Sequence, residues 1–384
     1  MKFVHVSDTH LGCQIPVEYS EIRKYDFLNS FKQVIDFAIR EKVDFIIHSG
    51  DFFDDYFRID SKYLLEILDI LFKLKDNKIP LIFIKGNHDI KGQRQNVLEI
   101  LKKLDLIYEA NIKEPFIYKD IYIYGISEPS NLSYEQLRIY YKKNLSNLKF
   151  ENNGYTIFMF HGAINIFPEN ILEGYGREPR ILSPEDFPKA DYYAFGHFHK
   201  KHLEKHDNRI FALPGSTERT EISKDEENIK KGFFYVRDDD IEFKELNVRP
   251  IYIYEDIINN DDGLNKLKND IYSKSKETII KIKVRYKKDY YINIKNLLEN
   301  LIESGYLILD DSYSLDEEIK LNNEVITIDN IIDSSFFVND KQEVIKMFNY
   351  IKELFEEMYS GKNSDLDRIR ETIFKQLIKW GLIK

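Results

Sequence analysis

The sequence predicts an α/β fold with buried parallel strands, and three observations carry that prediction. Five apolar runs of strand length (1–6, 44–48, 81–84, 155–160 and 191–195) lack polar alternation, as expected of strands covered on both faces. The stretches between the early runs carry apolar residues at helical spacing. Each run also stops at polar side chains: Ser7-Asp8-Thr9-His10, Gly50-Asp51-Phe52-Phe53-Asp54, Gly86-Asn87-His88-Asp89, His161-Gly162 and Gly196-His197-Phe198-His199. Sites of open α/β sheets form just beyond the carboxyl ends of their strands. The five strand ends are therefore expected to deliver Asp, His and Asn to one rim.

Composition bounds the rest. The chain has 384 residues, enough for two or three domains, and 43% are hydrophobic, so it is globular. No apolar run reaches the ~20 residues that span a bilayer. Residue 1 leads straight into a strand without a signal-like segment, so a cytoplasmic protein is expected. The single cysteine, Cys13, excludes an internal disulfide and a thiolate metal cluster, and reads as a buried filler. The net charge of −10 argues mildly against a nucleic-acid partner. Local patches rather than whole-chain charge do the binding, however, and part of the acidic excess is concentrated in residues 310–343.

After the first strand, a loop over 11–23 leads into an amphipathic helix marked by Phe27, Phe31, Val34, Ile35 and Ala38. The helix over 61–75 is apolar around most of its circumference, through Leu64, Leu65, Ile67, Leu68, Ile70, Leu71, Phe72 and Leu74. Covering a sheet needs one stripe, so a second stripe needs a second partner. That partner is another helix of this chain, or a second copy packed through Leu64, Leu68 or Leu71. Residues 97–106 are similarly rich in Leu and Ile. Residues 116–125 read as a hairpin and 134–148 as a helix. The polar loop over 162–187 is long and adjoins motif residues, a combination more often functional than idle. Three closing strands near 210–216, 232–236 and 241–246 end a first domain at residue 247.

Pro250 opens a smaller βαβ-like unit over 248–312, with strands at 251–254 and 279–288 and helices at 263–273 and 294–304. In its second strand Lys281, Lys283, Arg285 and Lys287 alternate with Ile282, Val284 and Tyr286, which puts four cations on one face. That face is either simply solvated or, because like charges repel, a seat for a polyanion. An acidic linker over 313–339 precedes two amphipathic helices within 340–384. Their stripes, Met347, Ile351, Leu354, Phe355 and Met358 on one and Ile373 and Leu377 on the other, form little core alone. They fold back or grip another protein.

The strand-end residues suit a metal centre. Asp8 and His10 alternate along an extended turn, and Asp51 offers a carboxylate able to bridge two cations. Asn87 offers a neutral carbonyl oxygen, and His161, His197 and His199 offer imidazoles. Mixed O and N donors without thiolate fit Mn²⁺, Fe²⁺, Zn²⁺ or Mg²⁺. Two such ions about 3.5–4 Å apart fit hydrolysis of phosphate esters. His88 follows Asn87 and points elsewhere on the rim, a candidate to stabilise the transition state or protonate the leaving oxygen. Asp89 either orients His88 or starts a helix. His5, His48, His202 and His206, the other four of the nine histidines, read as structural or surface groups.

The series Asp-x-His, Gly-Asp-x-x-Asp, Gly-Asn-His-Asp, His-Gly and Gly-His-x-His resembles the calcineurin-like metallophosphoesterase superfamily over residues 1–247. Within it the chain is most similar to the Mre-eleven (bacterial SbcD-type) nucleases of DNA double-strand-break repair. The stretch from Phe3 to Gly12, Pro214-Gly215-Ser216 and the small basic domain carry that likeness. The resemblance implies a two-layered αβ sandwich with a small α/β capping domain, a homodimer, and a coiled-coil ABC-type ATPase partner (Rad-fifty or SbcC type) bound by the C-terminal helical segment. It implies that Asp8, His10, Asp51 and His199 hold one ion, and Asp51, Asn87, His161 and His197 the second, with His88 catalytic. The nuclease family usually has a His three residues after the bridging Asp, where this chain has Asp54, as other superfamily members do.

The function expected is a Mn²⁺-dependent DNA endonuclease and 3′-to-5′ exonuclease, with two ions per subunit and the basic strand on DNA. Its rivals are another phosphodiesterase or phosphatase of the superfamily, and a mainly structural clamp on DNA ends with weak catalysis.

Overall fold

The computed structural model describes residues 1–315 except 55–59, 91–92, 147, 151–152, 173–177, 207–208 and 239, with side chains also left aside at 93–96. The terminal helices and nearly all of the acidic linker, with Met347, Ile351, Leu354, Phe355, Met358, Ile373 and Leu377, lie outside the described residues. The chain forms two compact units, Met1–Val284 with Asn293–Ser312, and Arg285–Ile292 with Tyr313–Lys384.

Among the described residues up to 247 there are fourteen strands, twelve of which build the two sheets of the sandwich. They are β1 (Lys2–Val6), β2 (Phe45–His48), β3 (Leu81–Phe83), β4 (Tyr108–Glu109), β5 (Phe116–Tyr118), β6 (Ile121–Ile126) and β7 (Tyr155–Phe160). After them come β8 (Ala163–Ile164), β9 (Ile181–Leu182), β10 (Tyr192–Phe195), β11 (His202–His206), β12 (Arg209–Leu213), β13 (Gly232–Arg237) and β14 (Asp240–Glu245). One six-stranded sheet has the order β14-β13-β1-β2-β3-β4 and the other β11-β12-β10-β7-β6-β5, while β8 pairs only β9. The strands that lead into the polar clusters are parallel neighbours, β1-β2-β3 in one sheet and β7-β10 in the other.

Both faces of each sheet are covered. Phe3, Phe45, Ile47 and Ile82 of the first sheet meet Ile123, Ile157, Met159, Tyr192 and Ala194 of the second. On the other face of the first sheet, Val4, Val6 and Ile46 pack under helices α1 (Ser20–Glu41), α2 (Ser61–Asp76) and α3 (Gln93–Lys103) through Phe31, Val34, Leu71, Leu98 and Leu101. Phe158, Phe160, Tyr193 and Phe195 of the second sheet pack with Tyr141 and Leu145 of α4 (Tyr134–Leu145). Helix, sheet, sheet and helix thus stack in succession, which is why the strands read as unbroken apolar runs. Each large side chain so buried contributes about 1.5–3 kcal/mol.

Helix α2 corrects one expectation. Leu71 is fully buried with Ile67, Ile70 and Leu74 in this chain's own core, so it is not available to a second subunit. Leu64 and Leu68 are partly buried against that core, whereas Leu65 is 60% and Phe72 41% exposed. The outward apolar stripe therefore runs through Leu65 and Phe72.

Beyond residue 247, strands β15 (Ile251–Ile258), β16 (Ile279–Tyr286) and β17 (Leu307–Asp310) form a further sheet, joined by helices Asp261–Tyr272 and Tyr291–Glu303. The strand at 307–310 was too short to read from pattern. In β16 Ile280, Ile282 and Val284 are buried and Lys281 and Lys283 half-buried, as the alternation requires. Lys281 meets Asp311 at 3.4 Å and Lys283 meets Glu255 at 3.2 Å. Within the first unit this sheet is tethered by Tyr19, whose hydroxyl donates to the Ile308 carbonyl at 2.7 Å. Arg249 adds a clasp, donating to both carboxylate oxygens of Asp26 at 2.7 and 2.8 Å. In the second unit Arg285 pairs in register with Tyr313, and Tyr286 stacks on Tyr291. No helix among the described residues is long and apolar enough to cross a membrane.

Candidate metal centre

The rim is made by both sheets. Asp8 and His10 follow β1, Asp51 follows β2 and Asn87 follows β3, while His161 follows β7 and His197 and His199 follow β10. The chain turns sharply there. Asp8, His10, Asp51 and His197 have φ of 50°, 41°, 55° and 82°, a left-handed region that costs residues with a Cβ about 1–3 kcal/mol each. Backbone hydrogen bonds between strand ends sustain it, from Asp8 N to Gly50 O at 3.0 Å and from His10 N to Asp51 O at 3.1 Å. Glycine is needed where the ends converge. A Cβ on Gly86 would collide with Asp51 Oδ1 and sit 2.7 Å from His161 Nε2, and one on Gly50 would enter the His161 ring.

The side chains converge in three overlapping groups: Asp8, His10 and His199; His10, Asp51 and His88; and Asp51, His161 and His197. Within each group one donor atom per residue lies within 4.8 Å of the others. Asp51 takes part in two of them, and Asn87 Oδ1 adds a donor 3.1 Å from His161 Nε2. The ring nitrogens that face away from the centre are engaged. His161 Nδ1 lies 2.8 Å from the Ser49 carbonyl and His199 Nδ1 lies 2.7 Å from Thr220 Oγ1, while His10 Nδ1 has the Asp54 carboxylate at ion-pair distance, 3.3 Å, without a hydrogen bond. An N–H donated outward fixes the tautomer and turns the Nε2 lone pair inward. His10 Nε2 and His199 Nε2 accordingly face each other at 3.2 Å. Two inward lone pairs with a carboxylate beside them are a fit for a divalent cation.

Charge reinforces this. Burial pushes the Asp51 carboxyl up, but the imidazoles of His161, His88 and His10 outweigh it and hold Asp51 well below the usual carboxylate range. Burial opposes charge on His10 and His161 too, yet Asp54, Asp51 and Asp8 raise His10 to about 9, and Asp51 and Asp8 raise His161 to about 9. Burial pushes Asp8 up to about 6, with Asp51 adding to the rise. The carboxylates draw positive charge onto the histidines, and a metal ion supplies it without the protons.

His88 is partly exposed, its side chain 27% accessible against 2% for His10 and 0% for His161, with Nδ1 4.0 Å from Asp54 Oδ2. Asp54 thus faces both His10 and His88. Among the described residues, the side-chain hydrogen bonds of Asp89 go to backbone rather than to His88. Asp89 is fully buried and accepts from the backbone N–H groups of Phe52 at 3.1 Å, Phe53 at 2.9 Å and Gly86 at 3.0 Å, clamping two strand-end loops together. His5 joins Tyr192 and Ser49, and His48 joins Thr9, as structural histidines. His202 lies beside Glu204, on a strand that leaves the rim.

The calcineurin-like phosphoesterase family model matches residues 1–201. The chain belongs to that family.

This phosphoesterase is 37% identical, over 56% of its length, to the DNA double-strand break repair protein Mre11 of Sulfurisphaera tokodaii, and 33% identical over 62% to that of Saccharolobus solfataricus. Those alignments span only 53% and 60% of the two relatives. The Mre11 protein of Methanococcus maripaludis is 27% identical over 99% of this chain and 95% of its own. Family and donor set agree on divalent metal ions. Thr220, the Ser49 carbonyl and Glu178, whose carboxylate faces His197, escaped the sequence reading. All three sit outside the motifs, and only Glu178 falls in a stretch the sequence marks, the long polar loop over 162–187.

Proposed function

We propose that this phosphoesterase is a Mn²⁺-dependent DNA nuclease, with endonuclease and 3′-to-5′ exonuclease activity, that acts on double-strand breaks in the cytoplasm. The observation that carries the reading is that Asp51 groups with His10 on one side and with His161 and His197 on the other, while His10 also groups with Asp8 and His199. Similarity to the Mre11 proteins supplies the substrate class. In this reading Asp8, His10, Asp51 and His199 hold one ion, and Asp51, Asn87, His161 and His197 the other. Two such ions supply positive charge for the phosphoryl oxygens and an acidified water for attack. The chain does the rest. The strand ends hold the donors rigid, Asp54 lies between His10 and His88, and His88 donates a proton to the leaving oxygen.

Lys281, Lys283, Arg285 and Lys287 are proposed to take the DNA backbone, exchanging Asp311 and Glu255 for phosphates. A homodimer through Leu64, Leu65, Leu68 and Phe72 would cover the outward stripe of α2. Residues 340–384 are proposed to bind a coiled-coil ABC-type ATPase, and their deletion should abolish co-purification with it while nuclease activity persists. The deciding experiment is a Mn²⁺-dependent assay on linear and circular DNA beside a small phosphodiester. Cleavage of the small diester with DNA untouched would place the chain among the other phosphodiesterases. DNA-end binding that survives loss of Asp51, in a protein whose wild type shows no measurable cleavage with Mn²⁺, would favour the structural clamp.

A further inference from the structure

We infer that Glu178 is a positioning residue for His197, locked in place by a buried Glu178–Arg180–Glu128 charge triad. The inference rests on the reading of these strand ends as a two-ion centre. Glu178 Oε2 faces His197 Nε2 at 3.5 Å, which leaves Nδ1 as the ring nitrogen for a cation. The carboxylate cannot swing away. Its Oε1 accepts from the Arg180 guanidinium at 2.6 Å and from the Arg180 backbone N–H at 3.1 Å, and its Oε2 accepts from the Tyr134 hydroxyl at 3.0 Å. Arg180 donates through Nε at 3.0 Å and a terminal nitrogen at 2.5 Å to the two oxygens of Glu128, a two-pronged pair that fixes angle as well as distance. The Tyr141 hydroxyl completes the set, donating to Glu128 at 2.6 Å.

Charge is what separates this triad from a simple packing device. Glu178, Arg180 and Glu128 are 7%, 8% and 6% exposed. Two carboxylates share one guanidinium, so a net negative charge stays buried, a costly arrangement unless something positive faces it. Glu178 turns that surplus toward His197. A histidine whose other nitrogen binds a cation is the partner that a buried carboxylate suits.

The triad is also wired to the other donors proposed for the same ion. Glu128 N–H donates to the carbonyl of Lys85, two residues before Asn87, at 2.8 Å. Strand β8, just after His161, pairs with β9, just after Arg180, and Ala163 N–H donates to the Arg180 carbonyl at 3.0 Å. Asn87, His161 and His197 are thereby referred to one rigid group. The ion near His10 and His199 relies on Asp54 and Thr220 instead. Loss of Glu178 should consequently weaken one ion of the two.

The test is Mn²⁺ binding to the full chain, by calorimetry and by the spin-coupled electron paramagnetic resonance signal of an ion pair. The variants are Glu178→Gln, Glu178→Ala and Tyr134→Phe. The expected result is two Mn²⁺ in the wild type. Both Glu178 variants should hold one ion at wild-type affinity and the other roughly 10- to 100-fold more weakly, with loss of the coupled signal. Tyr134→Phe, which frees only one side of Oε2, should shift the same ion less. If Glu178→Ala does not fold, Glu178→Gln, which keeps the shape, decides. Two Mn²⁺ at wild-type affinity in Glu178→Gln, with only a lower unfolding temperature, would overturn the inference and leave the triad structural. A wild type that never binds a pair of Mn²⁺ would instead overturn the two-ion reading, and this inference with it.

Discussion

Asp51 Oδ2 lies 3.2 Å from His161 Nε2, although the two residues end strands of different sheets and stand 110 positions apart. Because Asp51 also belongs to the group with His10 and His88, it is the one carboxylate on which both halves of the centre depend. Asp51→Ala should lose both metal ions and all hydrolysis while the fold persists. Elemental analysis beside circular dichroism checks this, and full metal occupancy in the folded variant would refute the assignment.

His88 should separate chemistry from binding. It contributes its backbone N–H to Asp51 Oδ1 at 2.9 Å, a contact that substitution of the side chain leaves in place. His88→Ser should therefore keep both metals and DNA affinity and lose roughly 10²–10⁴-fold in cleavage, the effect of a missing acid–base group. Single-turnover cleavage at saturating enzyme measures it, and unchanged turnover removes His88 from the mechanism.

Asp89 makes a stability prediction. Asp89→Ala strands the buried N–H groups of Phe52, Phe53 and Gly86. At about 1–3 kcal/mol for each donor left unsatisfied, the three together should cost roughly 3–9 kcal/mol. Asp89→Asn keeps an acceptor and should lose less. Denaturant midpoints compare the two, and equal midpoints would mean the clamp is dispensable.

Metal affinity should depend on pH over an unusually alkaline range. His10 and His161 are each raised to about 9 by neighbouring carboxylates, against the opposing effect of burial. A cation needs the bare nitrogen, so protons compete with it at every pH below that value. Affinity should keep rising from neutral pH to about 9, and binding should release protons. Calorimetry in buffers of different ionisation enthalpy reads the release. A plateau already reached near the ordinary histidine value, about 6.5, would contradict it.

The basic strand predicts a salt effect. Charge reversal at Lys281, Lys283 and Arg285 should weaken DNA binding and flatten the dependence of affinity on salt, each lost phosphate contact lowering the slope by about 0.9. An unaltered slope would return Lys281 and Lys283 to their observed partners, Asp311 and Glu255.

What the sequence determined by itself was local. Apolar runs without alternation specify strands buried on both faces, and a glycine beside Asp51 or Asn87 marks a chain turning hard at a strand end. The donor types at Asp8, His10, Asp51, Asn87, His161, His197 and His199 follow directly from residue identity. Tertiary structure alone decided which strand ends meet. The donors come from two sheets, and no spacing along one chain records the packing of Phe3 and Phe45 against Ile157 and Tyr192 that brings those sheets together. The same packing decided that Leu71 is core while Leu65 and Phe72 face outward, because the apolar circumference of α2 cannot say which side meets the sheet. It also decided that Asp89 grips backbone rather than His88, and that Glu178 faces His197. A carboxylate's role depends on which groups surround it in space, and some of them, Phe52 and Phe53 for Asp89 and Tyr134 for Glu178, lie tens of residues away along the chain.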